Sequence, residues 1–487
     1  MKSLHGSFFP REAYAETDSY SLLPLRFTEL DESRYFLSSL GGDYIVLPRD
    51  KLLDLVEHRL DPSDPLLRDL EARHLVHRGN VEVHRELLSA QYRTRQSLLP
   101  EYTSLHIFVV TLRCDNSCHY CQVSRVSEDR VAFDMSPETA DRSIQLMFRS
   151  PSRAIKVEFQ GGESLLNFPL IRRIVLRTKE LKGDRSVEFV VATNLAPLTI
   201  EMLEFFAEHH VMISTSIDGP AKLHNQNRPR PGMDAYERAV DGIRRCREIL
   251  GPESVSALMT CTAASLEQPE EIVDEYVRLG FREVFLRSIS PYGFAVKTAT
   301  RIGYETEQFL EFFRRGVTRV LDHAAQGVEI REVFSAIILR RLLTSFPTGY
   351  VDLQSPSGIG TGVIVYNYDG DVYASDESRM LAEMGDKSFR LGNVHGNSWE
   401  ELFTQSSLLP TLHKTMTEGL PGCCDCAFQP YCGSEPIRHH VAQGDVVGHR
   451  PTSSFCRKHI EVFRYLVRLM EDSPLASKIL RKWAAWN

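Results

Sequence analysis

The 487-residue sequence has no apolar run approaching the roughly 20 residues needed to cross a bilayer. Its longest candidate, HIFVVTL at 106–112, has the length of a buried strand. Positive charge is not in excess either. The net charge is −8, and no basic run or aromatic–basic interleaving occurs, so neither nucleic acid nor an anionic membrane is favoured as a partner. The opening MKSLHGSFFPREAYAETDSY lacks the basic-then-apolar pattern of a secretory signal. No low-complexity segment is present, and no repeat beyond strand–helix units. The expectation is a cytoplasmic globular protein, too long for one ordinary domain.

What the sequence does have is clustered cysteine. Of ten cysteines, three fall in TLRCDNSCHYCQVSR as Cys114, Cys118 and Cys121. Five more, Cys423, Cys424, Cys426, Cys432 and Cys456, lie near the C-terminus, and none occurs between 261 and 423. In a reducing compartment such clustering points to metal binding or catalysis more than to disulfides. Cys246 and Cys261 stand apart, on a helical and a strand pattern, and read as core thiols.

Around the triplet the texture is α/β. Strand-like runs at 106–112, 156–161, 188–194, 212–218, 255–261 and 283–289 alternate with helical periodicity. Ser136 and Pro137 supply an N-cap and a first-turn proline for one of the helices. Six such units imply a parallel sheet curled into a full or partial barrel, with chemistry at the C-terminal ends of the strands. The triplet falls at such an end. Residues 1–98 read instead as three strands, two joined through LGGD, followed by helices. Past 345 a hairpin turning at Asp369-Gly370, the second cysteine group and a final amphipathic helix follow. The expected domains are 1–98, 99–345 and 346–487.

Four thiolates close a zinc site or fill every iron of a cubane. Three leave one iron free to chelate a small molecule. By itself the triplet leaves zinc, completed by a distant His, as a rival.

The spacing C-DNS-C-HY-C, with Tyr120 before the last cysteine, resembles the radical S-adenosylmethionine (radical SAM) enzymes. FQGGES at the second strand end is similar to their Gly-Gly-Glu motif, and STSIDGP at the fourth to the S-x-D-G-P of peptide-modifying members. The resemblance implies a partial (β/α)6 barrel holding a [4Fe–4S] cluster on Cys114, Cys118 and Cys121. S-adenosylmethionine (SAM) would lie against Tyr120, Gly161, Gly162, Glu163, Asn194, Ser216 and Arg287. It also implies reductive cleavage of SAM to methionine and a 5′-deoxyadenosyl radical that takes hydrogen from a substrate carbon.

The C-terminal CCDCAFQPYC and SSFC could form a zinc ribbon. They also resemble the family's SPASM extension, which implies one auxiliary [4Fe–4S] cluster on Cys423, Cys426, Cys432 and Cys456, with Cys424 a bystander. The inner auxiliary cluster of full SPASM domains is expected to be absent. Its positions here are Ser375, Pro436 and the run Ser357-Gly358-Ile359-Gly360. Asp376 matches an aspartate that is a candidate base in related sulfatase maturases, though it reads equally well as a turn carboxylate.

The motifs together resemble the paired peptide maturases of His-Xaa-Ser systems. That implies a ribosomally synthesised precursor peptide as substrate, a second radical SAM protein as partner, and a reductant such as ferredoxin or flavodoxin. The N-terminal strands-then-helices order is that of winged-helix leader-recognition modules, which capture an extended peptide at a sheet edge; an accessory layer over the barrel is the plainer reading. A formylglycine-generating sulfatase-type maturase and a non-catalytic iron–sulfur or zinc protein are the alternatives.

Overall fold

The computed structural model describes residues 20–485, so the reading of the first 19 residues lies outside the described residues. Its centre is a nine-stranded sheet. Six strands follow one another in parallel: Leu105–Thr111, Ala154–Gly161, Ser186–Ala192, Val211–Ser216, Val255–Thr260 and Leu286–Arg287. Between them run the helices Pro137–Met147, Phe168–Leu181, Ile200–His209, Ala235–Leu250 and Pro269–Arg278, and Thr306–Ala325 follows the last strand. Ser136 caps the first of these, its hydroxyl accepting from Thr139 N at 3.0 Å, and Pro137 opens its first turn.

Side-chain alternation along the second strand decides which face meets the helices. Ile155, Val157 and Phe159 are fully buried in the main core, while Glu158 and Gln160 point the other way, into the barrel interior. Cys246 and Cys261 are also fully buried in this core, in keeping with plain packing roles.

The last expected strand, 283–289, is split. Glu283–Val284 pairs with Arg331–Glu332, and only Leu286–Arg287 joins the barrel. A carboxylate causes the break: Glu332 accepts the Leu286 amide at 3.2 Å while capping helix Val333–Leu343 through Phe334 N and Ser335 N.

On the opposite edge, Val363–Tyr366 pairs in parallel with the first barrel strand. The expected hairpin continues into Asp371–Tyr373, turning through Gly370 at φ +85°, and Arg390–Asn393 closes the sheet. One sheet therefore runs through from the barrel into the C-terminal region. The N-terminal strands Leu25–Glu29, Arg34–Ser39 and Tyr44–Pro48 form an antiparallel meander backed by helices Arg49–Val56 and Pro65–Ala72, with a separate core. Helix Ser454–Asp472 packs along Thr306–Ala325, and a helix not anticipated from the sequence, Pro474–Ala485, follows it.

Candidate functional site

The loop carrying Cys114, Cys118 and Cys121 leaves the first barrel strand and is pinned at many points. Cys114 N donates to Val126 O, Ser117 N to Pro229 O and His119 N to Asn227 O, while Phe294 N donates to Cys121 O at 2.8 Å. Side chains add to this. Asp115 accepts from Asn194 Nδ2 at 2.6 Å and pairs with Arg230 at 3.2 Å. The Tyr120 hydroxyl donates to Asp218, which is fully buried and paired with Arg228 at 3.1 Å; the Arg228 guanidinium lies over the Tyr120 ring. Backbone hydrogen bonds and charged side chains therefore anchor the loop to the barrel around residues 194, 218, 227–230 and 294.

Glycine is required where the second strand meets this loop. Gly161 has φ +145°, and a Cβ there would run into Thr111 O; a Cβ on Gly162 would meet the carbonyls of Leu112 and Arg113.

A cavity of about 270 Å3 opens at this strand end. The three cysteines line it together with Tyr120, Gly161, Gly162, Asn194, Ser216, Arg287 and Asp376. Residues scattered over more than 260 positions thus share one wall. Glu163 does not line it. Its carboxylate is wholly buried, accepting from Thr193 Oγ1 at 2.6 Å, Asn194 N at 2.7 Å and Leu165 N at 3.0 Å, and burial pushes its carboxyl up to about 7. In this structure it shapes the Asn194 turn.

Sequence reasoning missed Asp218 and Arg228, and also Asn116, Gln160 and Thr215 in the cavity wall. Asp218 sits inside the quoted STSIDGP, and Gln160 could have been found from the alternation of its strand. No sequence signal marks Arg228.

The fit of the implied groups is testable on the donor set. Burial pushes the Cys118 thiol up to about 12 and the Cys114 thiol well above its ordinary range, with neighbouring thiols adding to both. Thiolates here call for a strongly cationic centre to bind. Among the described residues no three His, Cys, Asp or Glu side chains are set closely enough to hold a single metal ion; the three thiols share the cavity wall, where a larger cluster would reach all of them. For SAM the cavity offers two orphaned acceptors or donors: Asn116 Oδ1 and Thr215 Oγ1 are buried without a hydrogen-bond partner. A polar ligand satisfies them. The residues fit both groups.

The second cysteine set also falls in one neighbourhood. Burial, reinforced by the neighbouring thiols of the set, pushes up Cys426, Cys432 and Cys456, the last to about 11. Cys423 acts on each of these three and accepts from Arg450 Nε at 3.0 Å. Cys424 contacts its neighbour Asp425 instead. The N-terminal meander packs on this loop: Phe36 meets Phe428 at 4.8 Å between ring centroids, and Ser38 Oγ donates to Ala427 O at 2.7 Å. The expected inner-cluster positions carry structural duties. Ser375 caps helix Asp376–Ala382 in a reciprocal box with Ser378, Pro436 is the first residue of helix Pro436–Gln443, and Ser357 is buried with its amide on Thr415.

Asp376 is the first residue of its helix, lies 3.4 Å from Arg379 Nε, and burial pushes its carboxyl up to about 6. It faces the cavity.

Comparison with known proteins agrees with this architecture. The radical SAM superfamily profile matches residues 108–276. An uncharacterised protein of Methanothermobacter thermautotrophicus is 27% identical over 240 residues, 47% of this chain and 88% of that protein. The solved structure of native anSMEcpe with bound AdoMet and Cp18Cys peptide superposes with a TM-score of 0.63 at 15% identity, covering 78% of this chain and 99% of the other. Streptococcus suis SuiB bound to precursor peptide SuiA superposes at 0.51 and 12% identity, over 90% of this chain and all of SuiB. Among the described residues no helix is long and apolar enough to cross a membrane. The chain carries a radical SAM domain, spanning residues 108–276.

Proposed function

We propose that the protein cleaves SAM and modifies a ribosomally synthesised precursor peptide at a carbon–hydrogen bond. The observation that carries this reading is the shared cavity: three thiols, the Gly-Gly strand end, Asn194, Ser216 and Arg287 converge where Asn116 and Thr215 stand unpaired. A peptide substrate is supported by SuiB, which matches over nine-tenths of this chain and is bound to its precursor peptide.

When bound, a [4Fe–4S] cluster and SAM supply a radical able to take hydrogen from an unactivated carbon. Cys114, Cys118 and Cys121 would hold the cluster. Ser216, Asn194 and the backbone at Gly161 and Gly162 would orient SAM, with Tyr120 stacked behind them on the Asp218–Arg228 pair. Asp376, across the cavity, would hold or take a proton from the substrate at its carboxylate oxygens. Cys423, Cys426, Cys432 and Cys456 would hold one auxiliary cluster. The N-terminal meander would recognise the leader, and tethering it would raise the local concentration of the modified segment. Partnership with a second radical SAM protein and with a ferredoxin or flavodoxin belongs to the same proposal.

The test is anaerobic incubation of the reconstituted protein with SAM and dithionite. The reading expects 5′-deoxyadenosine and methionine, and a mass change on a precursor encoded nearby. A protein with both cysteine sets loaded that forms neither product contradicts it.

A further inference from the structure

Beside the cysteine cavity lies a second one of about 340 Å3 in the barrel interior. The two share Glu158, Gln160, Arg287 and Asp376, so they adjoin. The far end of the second cavity is strongly polar. Asp352, Glu377 and Glu435 line it beside Arg438 and Lys458.

Over the whole cavity five carboxyl groups, Glu158, Asp352, Asp376, Glu377 and Glu435, face three basic side chains, Arg287, Arg438 and Lys458, an excess of two. Among the described residues Asp352, Glu377, Glu435, Arg438 and Lys458 make no salt bridge. Glu435 is buried and accepts only from the Arg438 amide, at 2.6 Å, and Lys458 reaches Ser288 Oγ at 3.4 Å. Burial, and then the neighbouring carboxylates, push the Asp352 carboxyl up to about 6 and that of Glu435 well above its ordinary range. The basic side chains nearby, Lys458, Arg287 and Arg438, offset this crowding only in part.

A separate feature points to an occupant. Tyr292, in the same wall, is 1% exposed, and its hydroxyl has no hydrogen-bond partner. A buried hydroxyl left unpaired is costly. An occupant with N–H donors would satisfy it and the carboxylates together.

We propose that the far end of this cavity is a specificity subsite for a cationic side chain of the substrate peptide, an ammonium or a guanidinium held by Asp352, Glu377 and Glu435 with the Tyr292 hydroxyl accepting a further N–H. An acidic side chain there would add to the excess negative charge, and an apolar one would leave Tyr292 and three carboxylates unpaired. Because the cavity adjoins the cysteine cavity at Asp376 and Arg287, the carbon modified lies on the basic residue or beside it. The inference rests on the peptide-modifying reading.

The experiment measures binding to the reconstituted full-length protein, without oxygen and with SAM present, by saturation-transfer NMR. The probes are N-acetyl-lysinamide, N-acetyl-argininamide, N-acetyl-norleucinamide and N-acetyl-glutamic acid amide. At least one cationic probe should bind about tenfold or more tightly than both others, and Glu435→Gln and Asp352→Asn should each erase most of that preference. Norleucinamide or the glutamic acid amide binding as well as the cationic probes, no cationic probe binding, or a folded variant keeping the full preference would overturn it. Should a variant fail to fold, the rank order on the wild-type protein decides alone. Formation of 5′-deoxyadenosine is followed in the same samples. Cationic preference without that product leaves the subsite standing and sinks the proposed reaction; product without preference does the reverse.

Discussion

The Tyr120 hydroxyl donates to Asp218, 2.7 Å from one carboxylate oxygen and 2.9 Å from the other, joining the cysteine loop to the end of the fourth barrel strand. Asp218 is fully buried and also balances Arg228. Replacing Asp218 by Asn leaves the largely buried Arg228 guanidinium without its carboxylate. Such a change costs about 3–5 kcal/mol. Urea denaturation of Asp218→Asn should show a loss of that order. Tyr120→Phe, which removes one charge-assisted hydrogen bond, should lose about 1.5–3 kcal/mol.

The approach of the second strand to the cysteine loop makes a separate prediction. At Gly162 any Cβ meets the carbonyls of Leu112 and Arg113, which are backbone and cannot swing aside. Gly162→Ala should displace the loop and lower SAM affinity by tenfold or more, about 1.4 kcal/mol. Equilibrium dialysis with labelled SAM checks this, and affinity within twofold of the wild type would show that the loop tolerates the shift.

Burial of Glu332 has a pH signature. This fully buried carboxyl is pushed up to about 7, with burial opposed only in part by hydrogen bonds from Ser335, Phe334 and Leu286. Its folded value lies above its unfolded one. Its contribution to stability is therefore complete below about pH 4.5 and is lost as pH rises through about 7. The difference amounts to about 3 kcal/mol. Glu332→Gln should flatten this part of the stability profile relative to the wild type when both are unfolded in urea across that range.

The N-terminal meander is fastened to the second cysteine loop. Phe36 is fully buried against Phe428, Tyr44 and Tyr431, and the Tyr431 hydroxyl donates to Gly42 O at 3.0 Å. Phe36→Ala should cost about 3–5 kcal/mol. It should also loosen the auxiliary site, dropping iron from about eight per chain toward about four, on the count of two cubanes. Iron analysis after reconstitution reads this directly. The same packing means that removing the whole N-terminal region would disturb the cysteine loop as well as any leader site.

Much of this arrangement is legible in the sequence because it is local. The barrel strands are short apolar runs, and the triplet, Gly161-Gly162 and Ser216 each sit at a strand end within a recognisable motif. What escaped notice depends on distance. Arg228 carries no motif, and only the fold lays it over Tyr120. Glu163 belongs to a motif, yet its carboxylate turns inward to Thr193 and Asn194. The break at Phe285 follows from Glu332, 46 residues from Leu286, taking an amide that a continuous strand would have used. Helix Pro474–Ala485 did have a local start signal, Ser473 followed by Pro474, hidden behind the stronger periodicity of the helix before it. The cluster of Asp352, Glu377 and Glu435 comes from three separate segments and has no linear trace.

The most direct measurement is electron paramagnetic resonance of the dithionite-reduced, oxygen-free protein, recorded with and without SAM. A cubane on Cys114, Cys118 and Cys121 with one iron open to a ligand should give a signal whose g-values move when SAM is added, and Cys118→Ala should abolish that response. A signal indifferent to SAM, or zinc in place of iron on those cysteines, would contradict the account.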